Sequence, residues 1–375
     1  MNGATLAFWL AFGLVAYTYI GYPIGIWLAA RTRKEQAPDA VADWPAVTLV
    51  VAAHNEAARI DAKVANLRNL DYPAGRLRLL FVSDGSTDGT DTALASITDV
   101  ESICYPVRRG KPHALNLAMQ RVETPIVVFS DVRQMIEPQA IRHLVARLLQ
   151  PGVGAVSGAL VHVAPGTQTA AQISLYWRYE KWIRRSESRF ASTVGATGAL
   201  YAIRSRDFTP LRDDTLLDDF EIPMQVVRRG LRTLFEPRAV LYDELQPDIA
   251  GERKRKIRTL TGNFQSFARN PWMFVPWRNP LFVQFVSHKV LRLLVPYAML
   301  AMLLASLLAD GAFYAAAAVA QFAFYATALL GARVPGLRSN RVVSFVTVFV
   351  ELNWAAVMAL AGFVSSRSDA KWEKT

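Results

Sequence analysis

The chain has 375 residues, enough for one large domain or two ordinary ones, and its single cysteine, Cys104, excludes an internal disulfide. Hydrophobic residues make up 52% of the chain and the mean hydropathy is +0.17, which is high for a purely water-soluble enzyme. The net charge of +11 favours anionic partners such as nucleic acid, acidic lipid headgroups or nucleotide diphosphates.

The first element in chain order is the uncharged apolar stretch Thr5–Ala30, which is long enough to cross a bilayer. A secretory signal is the competing interpretation, but the basic residues that usually open such a signal are absent from MNGAT. We therefore predict a retained transmembrane helix within residues 1–31. The RTRK that follows places the next segment in the cytoplasm, because basic residues stay on that side.

Residues 45–270 have a size that suits one α/β domain. Short apolar runs rich in β-branched residues predict four strands, at Ala46–Ala53, Arg78–Ser83, Ser102–Val107 and Pro125–Ser130. Helix-like stretches separate these strands. Buried strands that alternate with helices are typical of a parallel sheet, whose ligands bind at the carboxyl ends of the strands.

Two of the predicted strands are followed by polar sequences that suit a nucleotide. SDGSTDGT makes a good β–α turn, since Gly85 permits a tight turn and Ser86 or Thr87 can cap the next helix. A turn does not explain Asp84 at the strand tip, where a carboxylate can accept a hydrogen bond from a nucleobase. Farther on, RRGKPHALN places cations just before a helix, which suits phosphate, although a solvated basic loop is the plainer reading.

Acidic residues open a later helix-like run, LLDDFEIPMQVVRRG. Asp218 and Asp219 there favour the helix dipole, which is a sufficient structural reason for them. The functional alternative is a general base, because adjacent like charges raise one pKa toward the working range. Before this run, ATGALYAI has small residues that allow close backbone approach, which packing alone could also explain.

A basic run and three apolar runs complete the chain. Arg253–Arg258 carries five cations, which suit acidic lipid headgroups or a diphosphate better than nucleic acid because the run lies next to a membrane segment. Residues 271–288 are rich in aromatics and prolines and predict a surface-lying interfacial segment. Residues 289–365 predict three transmembrane helices, and 366–375 a tail. The spans are expected at about Val290–Leu308, Ala312–Leu330 and Val342–Val364.

The loop between the last two spans carries arginines and the ADG turn before it carries none, so the arginine loop should be cytoplasmic. This agrees with the orientation of the first helix. We expect four spans with both termini outside and the middle domain in the cytoplasm, in the plasma (inner) membrane.

The order of these motifs resembles the inverting family 2 glycosyltransferases with a GT-A fold, over about Pro45–Gln265. The flanking helices resemble those of membrane-bound members such as the cellulose, hyaluronan and chitin synthases. The resemblance implies an α/β fold: a Rossmann-like, mostly parallel GT-A domain flanked by one N-terminal and about three C-terminal transmembrane helices.

The resemblance assigns roles to individual residues of this sequence. VVAAHNEAARI looks like the first nucleotide-binding strand, VSDGSTDGT like the uridine-binding strand end and GKPHALN like the lysine segment. The implied nucleotide-binding residues are Ala53, Asn55, Glu56, Asp84, Lys111 and Arg258. TGALYAI and LDDFEIP look like the segments that face the sugars, which implies contacts from Gly198, Ala199 and Asp218, and a catalytic base at Asp219.

FSDVRQ aligns with the metal motif of the family, with Asp131 as the first acid and Mg²⁺ or Mn²⁺ as the implied cofactor. Two departures matter. Arg133 replaces the second acid, where it contacts phosphate or makes a local ion pair. Thr259 stands where processive synthases have a tryptophan that stacks on the acceptor, which weakens any expectation of processive polymerisation.

The expected function is transfer of a sugar from a nucleotide-sugar, a UDP-sugar in the first instance, to a glycan or lipid-linked acceptor for surface polysaccharide. Membrane lipids are expected partners and nucleic acid is not, because the basic run is localised and no nucleic-acid motif is present. A membrane transporter or channel with a nucleotide-binding cytosolic domain is the alternative, although four spans are few for one.

Overall fold

The computed structural model describes residues 2–34, 37–163, 168–244 and 249–365. The tail expected at 366–375 lies outside the described residues. The chain begins with a long apolar helix, in which α1 (Gly3–Ala16) and α2 (Tyr22–Arg31) are joined by a π-helical turn at Tyr17–Gly21. Together they form a candidate membrane span, Gly3–Arg31, whose bounds exceed the expected stretch by only a few residues.

An eight-stranded mixed sheet follows, and its strand order is β3-β2-β1-β4-β7-β6-β8-β5. In chain order the strands are β1 (Val47–Ala53), β2 (Leu77–Asp84), β3 (Glu101–Tyr105), β4 (Ile126–Asp131), β5 (Met135–Ile136), β6 (Val153–Val163), β7 (Leu200–Arg204) and β8 (Arg232–Glu244). The four expected strands form its parallel half, β3-β2-β1-β4, so their carboxyl ends meet at one edge. The expected mostly parallel α/β sheet is confirmed. β7 runs antiparallel between β4 and β6, and β8 is parallel to β6.

Helices cover both faces of the sheet because its strands are apolar on both sides, as the fully buried β1 shows. The connecting helices are α3 (Ala57–Arg68), α4 (Thr90–Ala95), α5 (Lys111–Met119), α6 (Ala140–Leu148), α7 (Gln168–Phe190), α8 (Asp218–Arg228) and α9 (Ile249–Arg269). One core lies between the sheet and α3 and α6, and the other lies between the sheet and α5 and α8.

Three further candidate spans close the chain, at Phe282–Leu308, Ala312–Arg333 and Arg341–Val364. The first is built from α10 (Phe282–Gln284), a π-helical segment at Phe285–Val290 and α11 (Leu291–Leu308); the others are α12 (Ala312–Arg333) and α13 (Arg341–Val364). One acid, Glu351, lies inside the last span, and its carboxylate accepts a hydrogen bond of 2.7 Å from Arg338 of the loop before α13. This ion pair satisfies an acid that would be costly to leave alone in lipid.

A third apolar core joins the sheet domain to the spans. It contains Phe220 of α8, Phe267 of α9, Phe285 of the second span and Ala356 of the fourth. Along α9, the Thr261 hydroxyl also contacts the Ala359 carbonyl of α13 at 3.4 Å. The sheet domain and the spans therefore share one hydrophobic core.

The segment expected to lie on the membrane surface is partly buried in that core. Trp272 is only 7% exposed and Met273 is fully buried, whereas Trp277 is 84% exposed. The second span already begins at Phe282, within the stretch expected to be interfacial. Only the exposed tip around Trp277 has the character expected for contact with lipid headgroups.

Candidate active site

The carboxyl ends of β1 and β2 form the expected nucleotide side of the site. Ala53 ends β1 beside Ser83 of β2 and is fully buried. Asn55 follows in a left-handed conformation, with φ of 54°, which asparagine adopts more readily than most residues. Its side-chain oxygen accepts the Thr87 N–H at 2.7 Å, and Glu56 N–H donates to the Thr90 hydroxyl at 2.9 Å. These bonds fix the loop that is expected to hold the nucleotide.

The Asp84 side chain binds the loop that precedes α5. Its side chain is fully buried. The carboxylate accepts the backbone N–H groups of Arg109 at 2.6 Å and Gly110 at 2.8 Å, and the Tyr105 hydroxyl at 3.0 Å. Asp84 therefore clamps the loop before α5 onto the end of β2. A nucleobase would have to share the carboxylate with these donors, and the expected contact of Asp84 with the base stays a prediction.

Lys111 is the cation at the centre of the site. Gly110, with φ of 99°, turns the chain into α5 and directs Lys111 toward the end of β4. The ammonium lies 2.9 Å from Asp131 Oδ1 and 3.3 Å from Asp218 Oδ2. Burial alone would lower the pKa of Lys111, but the two carboxylates outweigh it and raise that pKa above its usual range. The lysine stays charged and links the expected metal and sugar sides of the site.

Asp218 and Asp219 form the first turn of α8, as the acidic run predicts. Asp218 accepts a hydrogen bond of 3.1 Å from the buried Tyr201 hydroxyl. Burial and the neighbouring Asp218 charge raise the pKa of Asp219 to about 6, against the opposing charges of Lys111, Lys289 and Arg184. A carboxylate with that pKa is ionised at neutral pH yet basic enough to accept a proton in a reaction.

Gly198 lies directly against the Asp219 carboxylate. A Cβ at Gly198 would stand 2.8 Å from Asp219 Oδ2, and the Ala196 N–H donates to the Asp219 carbonyl at 2.7 Å. The small residues of ATGALYAI are therefore explained by close approach to Asp219 rather than by sheet packing alone. Ala199, also expected at the sugar side, is 6% exposed and precedes β7.

Arg133 makes the local ion pair that was one of its two expected roles. Its guanidinium donates to Asp243 Oδ2 at 2.6 Å, and Asp243 at the end of β8 is only 4% exposed. Beneath this loop, the fully buried Lys63 donates to the Gln134 carbonyl at 2.7 Å and to the Ser130 hydroxyl at 3.2 Å. Burial lowers the pKa of Lys63 to about 7.

Two arginines near the site form no ion pair with any of the described residues. Arg258 of α9 lies close enough to Asp131, Asp218 and Asp219 for their charges to act on it, and burial lowers its pKa. Within the described residues its guanidinium makes no hydrogen bond or ion pair. Arg108 has two buried guanidinium nitrogens, Nε and Nη2, that likewise have no partner in the described structure. Unpaired buried cations of this kind are suited to an anion.

Sequence reasoning pointed to Arg108 only as one of the cations of RRGKPHALN, and it assigned no site role to Lys63, Arg184 or Lys289. The sequence does contain a pattern that indicates burial of Lys63, because this lysine shares the buried face of α3 with Ile60, Val64 and Leu67 at helical spacing. No sequence pattern links Arg184 or Lys289 to the site, because each belongs to an element remote in sequence from Asp219.

Comparison with known proteins points to the same family as these motifs. Residues 48–210 match the family model "Glycosyl transferase family 2". A poly-beta-1,6-N-acetyl-D-glucosamine synthase of Staphylococcus aureus is 21% identical over 233 residues, 60% of this chain and 56% of that protein. An N-acetylglucosaminyltransferase of Mesorhizobium japonicum is 22% identical over 244 residues, 59% of this chain and 57% of that protein. The chain thus spans little more than half the length of the curated relatives it matches.

Among solved structures, the mannosyltransferase PcManGT from Pyrobaculum calidifontis, in complex with GDP-Man and Mn²⁺, superposes with a TM-score of 0.71. The identity is 23%, and the match covers 96% of this chain and 100% of that one. At this identity the likeness shows a shared fold, which extends over the sheet domain and the apolar helices alike.

Proposed function

Because residues 48–210 form a glycosyltransferase family 2 domain, we propose that this protein is a membrane-bound inverting glycosyltransferase that uses a nucleotide-sugar donor. The observation that carries the proposal is Asp219, a partly buried carboxylate with a raised pKa, which lies against Gly198 and near enough to the Lys111 cation to feel its charge. The names of the curated relatives favour UDP-N-acetylglucosamine as the first donor to test, and a glycan or lipid-linked acceptor of surface polysaccharide synthesis.

In the proposed reaction Asp219 takes the proton of an acceptor hydroxyl, whose oxygen attacks the anomeric carbon from the face opposite the diphosphate. The bond from that carbon to the diphosphate oxygen breaks, and one displacement inverts the configuration. Lys111, Arg258 and Arg108 supply positive charge where the leaving diphosphate gains negative charge, which is worth most in a site shielded from water.

A divalent cation would be held at this site by Asp131 together with the substrate. Within the described residues no three acidic, histidine or cysteine side chains form a metal cluster, so the protein would hold the ion by Asp131 and the substrate would supply the rest. Mg²⁺ and Mn²⁺ commonly bind through one or two carboxylates, phosphate oxygens and water. When bound, the cation would neutralise the developing charge on the diphosphate.

Purified protein in detergent should release UDP from UDP-N-acetylglucosamine when acceptor is present, and this activity tests the proposal. Mass analysis of the product would identify the acceptor. A protein that binds no nucleotide-sugar and releases no nucleoside diphosphate from any member of a donor panel would contradict the proposed function.

Arg108→Gln should weaken binding of UDP by about tenfold or more while changing UMP binding little. The reason is that charge-assisted hydrogen bonds contribute about 1.5–3 kcal/mol each, and the proposal assigns Arg108 to the outer phosphate, which UMP lacks. Isothermal titration with both nucleotides measures the two affinities. Arg109→Gln is the matched control, because Arg109 is 53% exposed and pairs with Asp213 at 3.1 Å. An equal loss for UDP and UMP would show that Arg108 acts through the fold instead.

The proposed location is the plasma (inner) membrane, with the sheet domain in the cytoplasm. A reporter fused after Arg338 should read as cytoplasmic and one fused after Gly311 as external, since arginine-rich loops stay inside. The reverse pattern would contradict this orientation and the access of the site to cytoplasmic nucleotide-sugars.

A further inference from the structure

A buried ionic cluster joins the sheet domain to the membrane helices next to the proposed site. Glu180 and Glu187 of α7 are 6% and 0% exposed, and His288 of the second span is 3% exposed. His288 Nδ1 lies 2.7 Å from Glu187 Oε1, and Nε2 lies 3.2 Å from Glu180 Oε2. The Tyr22 hydroxyl of the first span also donates to Glu187, at 2.5 Å. The cluster ties α7 to two spans.

The two acids of this cluster already have partners within it. Both ring nitrogens of His288 face carboxylates, Nδ1 that of Glu187 and Nε2 that of Glu180. Arg292 of the second span forms a second ion pair with Glu180. Each carboxylate of the cluster is therefore engaged by at least one donor within it, Glu180 by Arg292 and Glu187 by the Tyr22 hydroxyl.

Two more cations lie between this cluster and Asp219. Arg184 is one helical turn beyond Glu180 on α7, and its guanidinium donates to the Thr197 hydroxyl at 2.9 Å. Lys289 directly follows His288, and among the described residues neither cation forms an ion pair with an acid. Both are close enough to Asp219 to oppose the rise in its pKa. They therefore put two cations near Asp219 on the membrane side of the site, neither of which has an ion-pair partner among the described residues.

Both cations lie on elements that adjoin the membrane helices. Lys289 is near the beginning of the span Phe282–Leu308. On α7, Ile183 is fully buried against Tyr22 and Ile26 of the first span, so the helix that carries Arg184 lies alongside the membrane helices. Unpaired cations away from bulk water are costly unless an anion joins them.

We propose that Arg184 and Lys289 bind the phosphate of a lipid acceptor and thereby present a hydroxyl of that acceptor to Asp219. The inference rests on the proposed function and specifies its acceptor as a phosphate-bearing lipid. The hydroxyl oxygen forms the new bond to the anomeric carbon, the diphosphate leaves with the bonding electrons, and Asp219 receives the proton. The lipid phosphate is unchanged and serves only to position the acceptor.

The probes are two lipids that both carry a hydroxyl, of which one has a phosphate in its headgroup and the other has none. Purified protein in phosphatidylcholine nanodiscs is supplied with phosphatidylglycerol, which has hydroxyls and an anionic phosphate, or with diacylglycerol, which has a hydroxyl and no phosphate. We expect native mass spectrometry to show phosphatidylglycerol retained at least about tenfold more than diacylglycerol, as charge-assisted contacts would give. Equal retention of the two lipids would overturn the inference.

Substitutions at Lys289 test whether this lysine binds the lipid phosphate. Lys289→Met should lower phosphatidylglycerol retention by about tenfold and Lys289→Arg should restore it, since the charge is what binds. Lys181→Met is the matched control, because Lys181 lies on the same helix but outside the face of Glu180, Arg184 and Glu187. Unchanged retention in a folded Lys289→Met, confirmed by its thermal unfolding midpoint, would show that Lys289 only offsets the Asp219 charge.

Inorganic phosphate distinguishes a lipid site from a general anion site. We expect it to compete only at concentrations at least about a hundredfold above those of the lipid, because it lacks the buried acyl chains. Competition at equal concentration would overturn the lipid assignment.

A separate donor assay distinguishes failure of this inference from failure of the proposed function. Loss of lipid discrimination with nucleotide-sugar turnover intact contradicts this inference alone, whereas absence of any nucleotide-sugar binding contradicts the proposed function.

Discussion

Asp219→Asn should lower the rate of sugar transfer by about 10² to 10⁴ while leaving nucleotide affinity within a few-fold of the unmodified protein. A positioned general base contributes a factor of that size, and the amide cannot accept the proton. The substitution is nearly isosteric, so the close contact with Gly198 is kept. Transfer rates measured with saturating donor, together with titration calorimetry of UDP, separate the chemical step from binding.

The pH profile of transfer provides a second test of the same residue. Because burial and Asp218 raise the pKa of Asp219 to about 6, the ionised base is lost as pH falls through that value. We expect the rate to decline about tenfold for each pH unit below about 6 and to be flat above it, until another group titrates. Asp61→Asn, an exposed substitution in α3, should reproduce the pH profile of the unmodified protein.

If Asp219→Asn retains more than a tenth of the unmodified transfer rate, that result would contradict the role of Asp219 as the base.

Asp131→Ala should abolish the Mn²⁺-stimulated part of the activity and lower turnover by about 10² to 10³, the cost of removing one preorganised group that stabilises developing charge. The neighbouring position cannot substitute for it, because Arg133 is engaged with Asp243. Titration of Mn²⁺ and Mg²⁺ into chelator-treated protein measures the effect. Asp99→Asn is a suitable control, since Asp99 pairs with Arg68 on the surface. Full activity of the unmodified protein in strong chelator would show that Asp131 serves Lys111 and not a metal.

The ion pair between Arg133 and Asp243 also changes the expected effect of the substitution Arg133→Asp. On sequence alone, Arg133→Asp restores the acid-any-acid pattern of the family and is expected to tighten Mn²⁺ binding at the cost of turnover. In the structure the new acid would face Asp243, which is 4% exposed and would lose its cation. Breaking a buried pair in this way costs about 3 kcal/mol or more, so a fall in stability should precede any gain in metal affinity.

The sequence predicts those parts of the fold that depend only on residues next to one another in the chain. β1, β2 and β4 are short β-branched runs flanked by turn residues, and each begins and ends within one or two residues of its expected bounds. The four spans follow from apolar length alone. β6 and β8 were not anticipated, because β6 carries two glycines and β8 is rich in charges, and both depend on pairing with each other.

The site was predictable only where its residues follow strands or open helices. Lys111, Asp131 and Asp219 come from such motifs, and the structure brings them together around one ammonium group. Arg184 was not predictable, because α7 appears in the sequence only as a polar helix with no motif. Its contact with Thr197 depends on how α7 packs against the spans, which is a tertiary property.

The shared core of α9, α8 and the last span has a consequence for biosynthesis. Arg258 is carried by α9, which packs along α13, the final described helix of the chain. During translation the sheet domain leaves the ribosome well before α13 does, so Arg258, the arginine proposed to contact the diphosphate, is not held in place until the last span has entered the membrane. A nascent chain would therefore be unable to consume nucleotide-sugar before insertion is complete, and the same dependence makes the isolated middle domain a poor candidate for soluble expression.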